Sequence, residues 1–210
     1  MDIHLITPFS RVYLENILTA AYSRMNILWH PILFKDELAK TNFTKPWIYP
    51  LTISEDAPES DFIKIGARKI NYFLKNYPIL GSDYYCFPAD DDMYEEGVFD
   101  KIKSIDADVV VISLKRGDQV PPNLPKNRRY STYSLMAHPD NMVKGRVSGE
   151  QLIIKGFIFK LISFDESDQA SDGAVAEYLK ASNYNIHYEP DLYGLFNYYE
   201  PGRYNGVLDA

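Results

Sequence analysis

Residues 84–94 read Tyr-Tyr-Cys-Phe-Pro-Ala-Asp-Asp-Asp-Met-Tyr, an aromatic run that ends in three consecutive aspartates. The run predicts a strand over Tyr84–Phe87, with the aspartates at its carboxyl end. Three adjacent carboxylates repel one another, so a folded chain has to supply a counter-charge. A divalent cation is one such counter-charge, because Mg²⁺ and Mn²⁺ prefer carboxylate oxygens as ligands. The alternative is a solvated acidic turn before a helix that begins near Glu95.

Strands and helices alternate on both sides of this run. The sequence pattern predicts further strands over Ile3–Thr7, Ile27–Phe34 (interrupted by Pro31), Trp47–Ile53, Asp108–Leu114 and Asn185–Tyr188. Helical spacing of apolar residues predicts helices over Arg11–Arg24, Ile63–Asn76, Glu95–Ser104 and Asp172–Ala181. Gln151–Phe164 fits a helix or a strand, and Gly117–Arg129 is predicted to be a loop. The alternation indicates an α/β fold with a mostly parallel central sheet and helices on both faces.

Composition narrows the classes of function. The chain has 210 residues, of which 46% are hydrophobic and 24% charged, and we expect a single domain. A net charge of −7 argues against a nucleic-acid groove, which is normally basic. The single cysteine, Cys86, favours a reducing compartment, so we expect a cytoplasmic protein, with attachment at the membrane surface left open. No signal peptide or apolar run of transmembrane length is recognised in the sequence.

Four pieces of sequence occur in an order that resembles a known family. A first strand runs into Thr7–Arg11, a second carries Trp29, a later helix carries Gly66–Asn71, and a strand ends in Asp90–Asp92. This order resembles the nucleotide-binding half of family 2-like glycosyltransferases, which have the Rossmann-like GT-A fold. The resemblance covers roughly residues 3–103. A looser resemblance to the acceptor half implies a division into a donor half, 1–115, and an acceptor half, 116–210.

The resemblance implies a site for a nucleotide-sugar donor, a UDP- or GDP-sugar, with Mn²⁺ or Mg²⁺. It assigns the base, ribose and other nucleotide contacts to Pro8, Phe9, Arg11, Asp36, Arg68, Asp90 and Asp91, and the metal to Asp90, Asp92 and His187. Asp91 could instead orient its neighbours, and Arg11 could merely begin a helix. Arg68 could be a solvated charge on a helix surface, and His187 a structural or surface histidine. Asp36 departs from the family pattern, because Phe34-Lys35 stands where an apolar-Asp pair is typical.

The expected reaction moves a sugar to a saccharide or other hydroxyl acceptor, with inversion. An attacking hydroxyl gains from a general base, for which Asp172 is the candidate. Its rivals are Glu150, Asp165, Glu166 and Asp168, and a helix N-cap is the structural alternative.

Two other functions remain open. A sugar-nucleotide nucleotidyltransferase would usually carry a glycine-rich basic loop after the first strand, and Thr7–Arg11 has no glycine. A non-catalytic nucleotide-sugar binding protein is the other. The acceptor side is assigned to an aromatic tail that comprises Tyr193, Phe196, Tyr198, Tyr199 and Tyr204, together with Arg203.

Overall fold

The computed structural model describes residues 1–57, 62–115, 136–168 and 171–195. The strands in these ranges are β1 (Ile3–Pro8), β2 (Leu28–Phe34), β3 (Leu51–Ile53), β4 (Tyr84–Cys86), β5 (Met93–Tyr94), β6 (Val109–Lys115), β7 (Leu152–Lys155) and β8 (Ile186–Leu195). The α-helices are α1 (Glu15–Tyr22), α2 (Lys35–Leu38), α3 (Phe62–Asn76), α4 (Val98–Lys103), α5 (Gly156–Phe159) and α6 (Ser171–Ala181). The predicted loop 117–129 and the tail beyond residue 195 lie outside the described residues.

All eight strands form one sheet in the order β3-β2-β1-β4-β7-β6-β8-β5. The first four strands in this order pair in parallel, as do β6 and β8. β7 is antiparallel to both of its neighbours, and β5 is antiparallel to β8. Of these eight strands, six therefore run in one direction, which confirms the predicted mostly parallel α/β sheet.

Apolar residues on the two faces of the sheet form separate cores. Along β6, Val109 and Val111 belong to one core and Val110 and Ile112 to the other, because successive side chains of a strand point to opposite faces. The first core is covered by α3, α5 and α6, and the second by α1 and α4. Burial on both faces explains why β6 reads as a continuous apolar run in the sequence.

Pro31 does not interrupt β2, whereas the strand predicted over Trp47–Ile53 is split. Trp29 directs its N–H to the carbonyl of Trp47, and its own carbonyl accepts from Tyr49 (3.0 and 2.8 Å). Residues two apart along a strand face the same neighbour, so the donor that Pro31 lacks would point towards the same side. On that side the strand pairing is interrupted. Trp29 forms an isolated bridge with Ile48, and pairing resumes only at Leu51, where β3 begins.

Two predicted boundaries move for reasons of long-range pairing. The N–H of Glu95 bonds to the carbonyl of Tyr193 (3.2 Å), next to the unpredicted strand β5. The helix expected from Glu95 consequently begins at Val98, after Gly97 at φ +80°. The segment that fitted either a helix or a strand contains both, β7 followed by α5. Gly156 lies at the junction between them. A larger residue would not fit there, because a Cβ would lie 2.0 Å from the carbonyl oxygen of Leu80.

Among the described residues, no helix is both long and apolar enough to cross a membrane.

Candidate active site

The carboxyl ends of β1 and β4 open into a cavity of about 490 Å³. Its walls come from the turn after β1, the aspartate triplet after β4, the first half of α3, the turn before β7 and the start of α6. Ligands of open α/β sheets bind outside the carboxyl ends of the strands, at such a position. The fold thus brings separate parts of the chain to the edge of the sheet at which chemistry is expected.

Asp90 is held by the turn that follows β1. Its Oδ2 accepts hydrogen bonds from the backbone N–H groups of Ser10 and Arg11, both at 2.7 Å. The Arg11 guanidinium pairs with Asp90 Oδ1 and, at 3.1 Å, with Asp91 Oδ1. Burial opposes the charge of Arg11, but these two carboxylates raise its pKa above the ordinary value. Arg11 therefore supplies part of the counter-charge that the buried aspartate triplet requires.

Lys69 fixes the same turn from below. It is fully buried, and its Nζ donates to the carbonyl of Phe9 (2.7 Å), to Ser10 Oγ (2.8 Å) and to Glu37 Oε2 (2.6 Å). Burial lowers the pKa of Lys69, while its partner Glu37 acts in the opposite direction. The sequence resemblance points to the neighbouring Arg68 and not to Lys69. The spacing of four from Ile65 and to Phe73, both buried, places Lys69 on the inner face of α3.

The other predicted nucleotide and metal residues lie in different environments. Pro8 lines the cavity, but the ring of Phe9 packs against Trp29 and Phe43 in the core, with centroids at 5.7 and 5.9 Å. The remaining three are outside the cavity lining: Arg68 pairs with Glu55, Asp36 accepts from the N–H of Ala57 (2.9 Å), and His187 on β8 contacts Glu189 (3.5 Å). Their assigned roles remain predictions.

Asp172 lies in the first turn of α6 and lines the cavity. Its Oδ1 accepts a hydrogen bond from the N–H of Gly173 (2.9 Å), and burial raises its pKa. A Cβ on Gly173 would lie 2.5 Å from Lys144 Cα, so the glycine permits the start of α6 to approach that segment closely. The helix start and the carboxylate are thereby fixed together at the cavity wall.

Glu150 is the rival base that shares this cavity. Asp165 accepts from Ser167, Asp168 pairs with Lys144, and Glu166 accepts from Asn71, all outside the cavity lining. Glu150 is 1% exposed, and Ser148 Oγ donates to its Oε2.

Burial raises the pKa of Glu150 to about 7, its carboxyl interacts with that of Asp92, and the charge of Asp172 raises the pKa further. Its burial follows from the fold, and only its acidic character was visible in the sequence.

The cavity is rich in carboxylates, although they do not form a closed metal site. Among the described residues, no group of three or more His, Cys, Asp or Glu side chains has an arrangement that could hold a metal ion. Asp90, Asp91, Asp92, Glu150 and Asp172 nevertheless face one space, in which Arg11 is the cation of the lining. An all-oxygen set of this kind suits Mg²⁺ or Mn²⁺, which are often held by one or two carboxylates and substrate phosphates.

Solved structures share this architecture. The chain superposes on S. aureus TarS 1–349 with a TM-score of 0.52 and 15% identity, over 92% of this chain and 60% of that chain. It superposes on the mannosyltransferase PcManGT from Pyrobaculum calidifontis, in complex with GDP-Man and Mn²⁺, with a TM-score of 0.59 and 11% identity, over 96% and 58% of the two chains. The chain has a GT-A-type fold. The superposed region covers about three fifths of the length of each of these two glycosyltransferases.

The GT-A-type fold also resembles that of a nucleotidyltransferase. The inositol-1-phosphate CTP transferase from T. maritima superposes with a TM-score of 0.51 and 7% identity, over 93% of this chain and 89% of that chain. No protein-family model matches the chain, and no curated protein matches its sequence. At these identities the likeness concerns the fold, and the resemblance found in the sequence is confirmed at that level.

Proposed function

We propose that this protein is a metal-dependent glycosyltransferase that moves a sugar from a nucleotide-diphosphate sugar to a hydroxyl acceptor, with inversion. The observation that carries the proposal is the meeting of the Pro8–Arg11 turn, the aspartate triplet and Asp172 in one cavity. A solved structure with this fold contains GDP-Man and Mn²⁺, which supports a nucleotide-sugar donor.

The donor would lie between the turn after β1 and the first half of α3. Gly66 and Ala67 line this wall, and among the described residues a Cβ at Gly66 would meet no atom within 4 Å apart from its chain neighbours and the helix backbone. We therefore assign this space to the nucleotide. Asp90 keeps the turn in place through the N–H groups of Ser10 and Arg11, which positions the Arg11 guanidinium at the cavity.

The leaving diphosphate carries developing negative charge, which the five carboxylates of the cavity would repel. A divalent cation supplies the positive charge that stabilises such a leaving group. We assign its protein contact to Asp92, which is 1% exposed, lines the cavity and accepts at Oδ2 from the N–H of Ala89 (3.0 Å). Asp90 and His187 were also predicted to bind the metal, but Asp90 is engaged by Arg11 and two N–H groups, and His187 is outside the lining.

Asp172 would act as the general base. It removes the proton from the acceptor hydroxyl while the hydroxyl oxygen attacks the anomeric carbon and the bond to the donor phosphate breaks. A carboxylate whose pKa is raised by burial is a stronger base than an exposed one. Direct attack from the face opposite the leaving group inverts the anomeric centre, and the proton remains on Asp172 until it passes to solvent.

An assay of donor turnover tests this function. Purified protein is incubated with UDP- and GDP-sugars and Mn²⁺, with and without simple hydroxyl acceptors, and release of the nucleoside diphosphate is measured. We expect release to depend on Mn²⁺ and to be lost in Asp92→Asn. Nucleotide binding without any turnover would favour a binding protein. Pyrophosphate release from a nucleoside triphosphate and a sugar phosphate would instead favour a nucleotidyltransferase, which shares the fold.

A further inference from the structure

Glu150 has one carboxylate oxygen to which no described residue donates a hydrogen bond. Ser148 Oγ donates to its Oε2, whereas Oε1 is buried with no hydrogen-bond partner among the described residues. A buried ionised oxygen without a donor is costly. The side chain lines the cavity and interacts with the Asp92 carboxyl, so a cation bound between the two carboxylates would supply the missing partner.

The main chain around Glu150 is firmly held. Tyr94 Oη donates to the carbonyl of Glu150 (3.1 Å), and Gln151 Nε2 donates to the carbonyl of Ile112 (3.0 Å). The preceding Gly149 is packed so closely that a Cβ would lie 2.5 Å from the ring of Phe87. The carboxylate is therefore presented to the cavity from a rigid turn.

The surrounding charges make a cation the appropriate partner. The Glu150 carboxyl interacts with that of Asp92, and the charge of Asp172 also acts on it. Arg11, the cation of the lining, pairs with Asp90 and Asp91 instead. A hard divalent cation commonly takes two carboxylates and completes its shell with phosphate oxygens and water.

We propose that Glu150 is a second protein ligand of the divalent cation, acting together with Asp92. This inference rests on the proposed function, because it concerns the cation assigned to the donor site there. It adds to that function a metal contact from the turn before β7, which lies in a later part of the chain than the aspartate triplet. The ion would then join residues of the donor half to residues of the acceptor half.

Mn²⁺ binding to the full chain tests the proposal without any activity assay. Free Mn²⁺ is measured by electron paramagnetic resonance in the presence of UDP or GDP, for the wild type and for Glu150→Gln and Asp92→Asn. We expect each substitution to weaken Mn²⁺ binding by about 10- to 100-fold, the range found when metal sites lose supporting contacts. The matched control is Glu177→Gln, the same chemical change at an exposed position of α6, which should bind Mn²⁺ as the wild type does.

The outcomes separate this inference from the proposed function. Wild-type affinity for Mn²⁺ in Glu150→Gln overturns the role of Glu150 alone. A wild type that binds nucleotide with no effect of Mn²⁺ overturns the metal-dependent function and this inference together. Glu150→Asp, one methylene shorter, keeps the charge and should also weaken binding. It provides the test if the Gln variant does not fold, as judged by circular dichroism.

Discussion

Replacing Gly66 should make the protein more stable and, at the same time, block its donor site. Gly66 lies within α3, and a Cβ there would meet no atom of the described residues within 4 Å, apart from its chain neighbours and the helix backbone. Glycine inside a helix is about 0.8–1.0 kcal/mol less favourable than alanine, and leucine is close to alanine. Gly66→Leu should therefore raise the free energy of unfolding by about 1 kcal/mol, which is about 2–4 °C in Tm for a chain of this size.

The same side chain would extend into the cavity that we assign to the nucleotide. Gly66 lines that cavity, and a branched four-carbon side chain in the donor's space should lower the affinity for UDP or GDP by at least about tenfold, or about 1.4 kcal/mol. Gly66→Ala is the matched control, because it gives the helix the same stabilisation with one methyl group and should bind nucleotide nearly as the wild type does.

Thermal unfolding and titration calorimetry with Mn²⁺ and nucleotide measure the two effects on the same samples. Opposite signs for stability and binding cannot come from general damage to the fold. A leucine variant that binds both nucleotides with wild-type affinity would show that the donor does not occupy this wall. A variant that is less stable than the wild type would show instead that the space beside α3 is required for packing.

Three further predictions concern the base and two buried charged or titratable groups. Asp172→Asn should lower transfer by about 10²–10⁴-fold with little change in donor affinity, and near-normal turnover would contradict its role. Lys69→Met leaves the buried Glu37 without its cation and should cost about 3–5 kcal/mol in urea unfolding, which adding Glu37→Gln should partly restore. Burial lowers the pKa of His30 to about 3, so between pH 6.5 and 3 the unfolded state binds more protons than the folded state. The free energy of unfolding should therefore decrease by about 1.4 kcal/mol for each unit by which the pH is lowered. The raised pKa of Glu150 changes stability with pH in the opposite sense, so the wild type is compared with His30→Gln. A difference in the free energy of unfolding between these two proteins that is the same at pH 6.5 and at pH 5 would contradict the prediction.

Local sequence features predicted the parts of the fold that depend on local physics. The aromatic run at Tyr84 and the β-branched run at Val109 are strands because both of their faces are buried. The aspartate triplet lies at the carboxyl end of β4, where the run predicted it. The position of Asp172 at a helix start and at the cavity wall also follows from its sequence context.

The rest depends on distant contacts that no local pattern contains. Arg68 and Lys69 are adjacent, yet a helix turns about 100° per residue, so only packing decides which one faces inwards. Glu150 reads as an ordinary acidic residue, and its burial results from neighbours on β5, β6 and β8. Asp36 was assigned from a family pattern, whereas here its carboxylate bonds to the backbone of Ala57.

The position of β7 in the sheet decides whether the first 115 residues can fold without the rest of the chain. β4 and β6 both belong to the first 115 residues, but they do not pair with each other, because β7 from residues 152–155 lies between them. A truncated polypeptide ending at residue 115 would have two unsatisfied strand edges facing an empty slot, a state that invites pairing with other chains. The half to which we assign the donor therefore depends on the rest of the protein and is not a transplantable module. Engineering that exchanges acceptor specificity would have to retain this central antiparallel strand.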